Sequence, residues 1–169
     1  MKTIDRTIFV LAALPIFAAS QVAFADGSLV IQSWRTDAGW LTELRQHSDG
    51  ARVCTTGKAF KDGHPFGISI VKSGQITLVT LVDEIQPPSR GGMMQLSSSG
   101  QDVGTLSVTP EGPAFATTEG ESEKTWNMIS GLPPQMLSIA VDGRQYQANL
   151  DGIDQARDQL KVCERQAAS

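Results

Sequence analysis

The residues able to do chemistry in this chain are few and scattered. Ser69-Ile70-Val71-Lys72 has the Ser-x-x-Lys spacing of a penicillin-binding nucleophile. That chemistry needs the serine at the start of a helix, so that the lysine returns to it one turn later. Here Phe66, Ile68 and Ile70 alternate with small or polar neighbours, which predicts a strand. In a strand Ser69 and Lys72 point to opposite faces, and no Lys-Thr-Gly accompanies them. The two histidines, His47 and His64, have no second ligand at His-x-x-x-His spacing. His47 ends a charged strand and His64 falls in a turn, so both are expected to be solvent-facing. A Ser-His-Asp triad needs only to meet in space, but no Gly-x-Ser-x-Gly elbow supports one. Glu119, Glu121 and Glu123 lack the Asp-x-Asp-x-Asp-Gly order of a calcium loop and are expected to be solvated. Asp83-Glu84 has no identifiable second carboxyl for glycoside hydrolysis and is expected to be surface charge. No catalytic residue, metal ligand or cofactor site is therefore assigned.

Two cysteines remain, Cys54 and Cys163. They are too far apart for a Cys-x-x-Cys redox pair. Their meaning depends on the compartment, and the N-terminus predicts export. Lys2 and Arg6 make a positive start, an apolar run follows from Ile8 to Ala19, and Ala23-Phe24-Ala25 is a small-x-small cleavage site. The run falls well short of the roughly 20 residues of a spanning helix. Residues 1–25 are accordingly a cleaved signal peptide, and residues 26–169 form a single domain. No transmembrane segment is expected in the mature chain, and the location is periplasmic or secreted in a Gram-negative cell. In such a compartment an even pair is most simply one structural disulfide, Cys54–Cys163. It closes a loop of roughly 110 residues and contributes about 4–5 kcal/mol in the chain-entropy view.

The elements that must position these residues are mostly strands. Short runs rich in Val, Ile, Leu, Thr and Phe are punctuated by Gly, Ser, Pro and Asp, the pattern of an antiparallel β-sandwich or barrel-like domain. Strands are predicted near 29–35, 40–46, 51–56, 66–72, 76–82, 93–97, 104–109, 124–129, 135–141 and 145–150. Asp142-Gly143 is the pair a type I′ turn prefers, so Gln135–Leu150 is a hairpin. Ser73-Gly74 marks a second one. Beyond it Ile153, Ala156, Leu160 and Cys163 fall on one helical face, with Asp151 as N-cap and fraying expected after Arg165. Cys163 thus points from the one C-terminal α-helix toward the sheet. The stretches 83–92, 111–123 and 131–134 are predicted loops. Of Trp34, Trp40 and Trp126, at least two are expected in the core.

A Trp soon after the leader (Trp34), a Cys in an early strand (Cys54), and a closing hairpin, Gly152, helix and Cys163 resemble the invasion-associated locus B family of small exported proteobacterial proteins. The resemblance implies a β-sandwich-like periplasmic or surface protein without a known active site, and brings no catalytic residues with it.

Charge narrows the partners. The chain is at −4, and losing Lys2, Arg6 and Asp5 with the leader takes it to −5. Without a basic run, no nucleic acid and no anionic membrane surface is expected as a partner. The expected function is a non-enzymatic exported binding or accessory protein of the cell envelope, with an envelope or host protein as partner. The rival is a secreted inhibitor of a lysozyme or protease, using Pro87-Pro88-Ser89-Arg90 as an inserted loop. A hydrolase with a spatially assembled site is a third class. The 83–92 and 111–123 loops are the expected places of contact.

Overall fold

The computed structural model describes residues 28–61, 64–73, 76–83, 85–117, 119–133 and 136–169. The predicted signal peptide lies outside them. Among the described residues ten strands and two helices follow one another in the order β1 (Leu29–Arg35), β2 (Leu41–Gln46), β3 (Arg52–Lys61), β4 (His64–Ser73), β5 (Ile76–Asp83), β6 (Gly92–Ser98), β7 (Gln101–Glu111), β8 (Ala114–Thr117), α1 (Glu119–Ser130), β9 (Met136–Val141), β10 (Arg144–Asn149) and α2 (Ile153–Ala167). All the strands belong to one antiparallel sheet with the order β1-β2-β3-β4-β5-β8-β7-β6-β9-β10. The mainly β, single-domain expectation holds. The sheet curls enough for β10 to touch β3, yet it does not close, and β1 and β10 remain its edges.

Alternation explains most of this. In β9, Leu137, Ile139 and Val141 are buried, while Met136 is exposed and Ser138 and Ala140 are half-buried. In β10, Tyr146 and Ala148 turn inward and Gln145 and Gln147 outward. The β9–β10 register runs from Arg144 opposite Val141 to Asn149 opposite Met136. Asp142 and Gly143 close it with φ of +48° and +73°, the backbone a type I′ turn requires. The β4–β5 hairpin pairs Ser73 with Ile76. Trp40 and Trp126 are core residues and Trp34 is half-buried against the core.

α2 packs on β2 and β3 through Ile153, Ala156, Leu160 and Cys163. Cys54 in β3 lies opposite Leu44 and Lys72 on the neighbouring strands. It is bonded to Cys163, with Cα atoms 5.9 Å apart and a sequence separation of 109. The start of α2 corrects one expectation. Its N-cap is Gly152, at φ +78°, without a side-chain cap. Asp151 instead exchanges hydrogen bonds with Asn149, and its carbonyl accepts the Trp40 indole N–H at 2.8 Å. The tight approach explains the glycine, because a Cβ at position 152 would sit 2.6 Å from the Ala38 Cβ. The helix also runs past Arg165 to Ala167, which packs on the core.

Two further expectations are overturned. Residues 124–129 are not a strand but the second half of α1. Thr125, Trp126 and Ile129 favour a strand locally, but that preference yields to tertiary packing. Thr125, Trp126, Ile129 and Ser130 are buried together, a one-face helical spacing. The 111–123 stretch is not a loop either, since it holds β8 and the first turn of α1. Glu119 and Glu121 stand in that first turn, the end of a helix where acidic residues are favoured.

Candidate binding loop

A buried polar cluster lies at the end of β5. Asp83 is 7% exposed, which corrects the expectation that it is surface charge. One carboxylate oxygen accepts the backbone N–H groups of Ile85 at 3.1 Å and Gln86 at 2.8 Å. This is how an aspartate shapes the turn that follows it. The other oxygen accepts the Tyr146 hydroxyl at 2.8 Å and faces an Arg144 guanidinium nitrogen at 3.4 Å. The Asp83 N–H donates to the Pro113 carbonyl at 2.8 Å.

Both side-chain partners come from β10, more than 60 residues along the chain. Arg144 follows the Asp142-Gly143 turn, and Tyr146 is two residues on, on the inward face. Arg144 also donates to the Gln86 carbonyl and stacks over the Phe115 ring, 5.6 Å from its centroid. Asp142 holds the far end of the loop through an ion pair with Arg90 at 2.7 Å. A β9–β10 hairpin therefore clamps the 83–92 segment at both ends. Pro88 is buried in the middle, while Ile85, Gln86, Pro87, Ser89 and Arg90 remain exposed. Ile85 is 56% exposed, a large apolar side chain on an ordered loop.

The electrostatics match a clamp. Burial, then the hydrogen bond to Asp83, pushes the Tyr146 hydroxyl above its ordinary range, so it stays a neutral donor. The hydrogen bond to Tyr146 raises the Arg144 guanidinium, against the opposing effect of burial, with Asp83 and Asp142 adding to it. Each Asp83 oxygen is engaged within the cluster. These groups order a backbone.

Compared with family models, curated proteins and solved structures, the chain finds no match in any of the three.

The other residues weighed for chemistry stay apart. Ser69 and Lys72 lie on the strand β4, and Lys72 pairs with Glu164 of α2 at 2.7 Å. His47 stands in the β2–β3 turn, where its N–H donates to the Ala51 carbonyl at 2.8 Å. His64 opens β4 opposite Lys61 and so belongs to a strand; Asp62 and Gly63, the rest of its expected turn, lie outside the described residues. Glu84 also lies outside them. Glu123 is an exposed residue of α1, and Glu119 and Glu121 share that helix. Two open clefts lie elsewhere among the described residues. One of about 560 Å³ lies beside the disulfide between Arg52, Lys72 and Glu164. The other, of about 500 Å³, lies on the outer face of β6, β9 and β10, against Gln95, Ser138 and Gln147.

Arg144 and Tyr146 were missed as partners of the loop. One signal was present in the sequence: Tyr146 alternates with Ala148 on the inward face, and a buried tyrosine hydroxyl needs a polar partner. Nothing local names Asp83 as that partner.

Proposed function

We propose that the protein is a non-enzymatic binding or accessory protein of the cell envelope, exported by its N-terminal leader to the periplasm or beyond. Its partner is an envelope or host protein, engaged by the 83–92 loop. The observation that carries this reading is the two-ended clamp on a loop that keeps Ile85 in solvent. Holding the loop in shape beforehand lowers the ordering cost of association, and loops on a rigid scaffold are where small domains make contacts. A Cys54–Cys163 bridge suits an oxidising compartment. No helix among the described residues is long and apolar enough to cross a membrane.

The test is cross-linking and affinity capture from intact cells with the wild type and Ile85→Asp. The clamping side chains of Asp83, Asp142, Arg144 and Tyr146 are untouched in that variant, and the Ile85 N–H that Asp83 accepts is kept. A single abundant envelope protein, captured by the wild type and lost in the variant, is the expected result. Equal capture by both would remove the loop from the interface.

One observation favours the inhibitor reading. The Arg90 side chain is 78% exposed although paired with Asp142, so a cationic group is displayed at the end of a clamped loop. Inhibition of trypsin-like proteases or lysozymes at micromolar protein, abolished by Arg90→Ala, would establish that reading. No inhibition would discard it.

A further inference from the structure

β1 is built unlike the rest of the sheet. Six of its seven residues are exposed and the seventh, Trp34, is half-buried. Leu29, Val30 and Ile31 are 69%, 42% and 44% exposed. The strand is an edge: β2 pairs with one side of it, and no described strand pairs with the other. An exposed apolar edge is a template for another strand. Natural edges are blunted by Lys, Pro or bulges. β1 has neither Lys nor Pro; it carries a bulge between Val30 and Gln32 and one charged residue, Arg35, at its end, and its apolar half, Leu29 to Ile31, has no charge. The opposite edge is different, since β10 exposes Gln145 and Gln147 and buries its apolar residues.

We propose that β1 pairs antiparallel with β1 of a second copy of the chain, about a two-fold axis at Gln32, joining two sheets edge to edge. The register of β1 on β2 shows why the strand complements itself. Cross-strand neighbours share a face. Trp34 lies opposite Thr42 and Gln32 opposite Leu44, and both partners are buried, so Trp34 and Gln32 are on the core side. The bulge returns Leu29, opposite Gln46, to that same side. A two-fold axis at Gln32, with the bulge spanned as β2 spans it, sets the exposed Leu29 of each copy against the half-buried Trp34 of the other. Val30 and Ile31 then meet Ser33. Arg35, the only charged residue of β1, falls opposite Ser28, so no like charges meet. Parallel pairing would instead put the two Arg35 side by side. Pairing of β1 with β10 would set the apolar triad against a polar strand in an open-ended, head-to-tail array.

The contact is small. One strand pair covers less than the roughly 800 Å² per partner of a standard interface, so the dimer is expected to be weak, with a dissociation constant on the order of 10–100 µM. Sedimentation velocity from about 5 to 500 µM tests this on the purified protein. The expected result is a monomer at the low end and a dimer at the high end. Val30→Lys and Ile31→Lys, both at exposed positions, weaken the dimer by about tenfold or more. Gln32→Cys tests the axis, because directly opposed Cα atoms are about 4.5–5.5 Å apart, within disulfide reach. It should give an interchain cross-link, and Gln145→Cys on β10 should not. A monomer at every concentration overturns the proposal. So does a ladder of higher oligomers, a dimer indifferent to both lysines, or a cross-link at residue 145 and not at residue 32. Ile85→Asp should dimerise like the wild type, so this test and that of the loop fail independently.

Discussion

The C-terminal helix and the 83–92 loop are each fastened to a distant part of the chain, by opposite kinds of chemistry. α2 is held by a covalent bond across 109 residues and by an apolar stripe. The loop is held by a carboxylate, a phenol and a guanidinium, with 61 and 63 residues separating Asp83 from its partners on β10. A disulfide and an apolar seam respond to redox agents and to loss of side-chain volume. A polar clamp responds to charge and to pH. The same fold thus secures a structural helix by a means insensitive to ionic conditions, and shapes an exposed loop by a means that can be altered one hydrogen bond at a time.

Removing the bridge should have the largest effect. The double variant Cys54→Ala/Cys163→Ala should lose about 4–5 kcal/mol of stability in denaturant unfolding, while amide exchange at Ile85 and Gln86 keeps its protection relative to global unfolding. Loss of protection at the loop ahead of the helix would break the comparison. Asp83→Ala should come next, at about 3 kcal/mol, because it strips a buried charge cluster of one partner. Its mark should be deprotected amides at residues 85 and 86 with α2 intact.

Tyr146→Phe should cost about 1.5 kcal/mol, the scale of a hydrogen bond to a charged group, and its effect depends on pH. Tyr146 in the fold is raised above its ordinary value of 10.0. The folded protein therefore holds that proton more tightly than the unfolded chain. The stability this adds is complete below about pH 10 and is lost as the pH climbs through the raised value. The gap between wild type and Tyr146→Phe should narrow above pH 10, as measured by unfolding at a series of alkaline pH values. A constant gap would show that the hydroxyl is not linked to folding. Arg90→Ala should have the smallest effect, under about 1 kcal/mol, since the arginine side of its ion pair is largely in solvent. Its effect should fade in high salt.

Much of the fold was legible because its signals are local. The Asp142-Gly143 turn, the alternation through Leu137, Ile139 and Val141, and the 3.6-residue spacing of Ile153, Ala156, Leu160 and Cys163 each lie within a few residues. α1 shows where such reading stops. Thr118-Glu119-Gly120-Glu121 has the Ser/Thr-x-x-Glu spacing of a capping box, but Gly120 and the β-favouring residues around Trp126 point the other way. Packing on β5 and β7 decides in favour of a helix. The same limit applied to the candidate site. The loop between Asp83 and Gly92 was readable from its prolines and glycines, whereas its clamp was not.

The β-rich class, most strand positions, the C-terminal helix and the inward direction of Cys163 are written in short stretches of chain, because each depends on the periodicity of neighbouring residues. That the ten described strands form one unclosed sheet, that 119–130 is a helix, and that Asp83 meets Arg144 and Tyr146 emerges from long-range packing. Those outcomes depend on which distant surfaces bury one another. A carboxylate finds its partners through the sheet order β5-β8-β7-β6-β9-β10, and no stretch of sequence shorter than the domain contains that order.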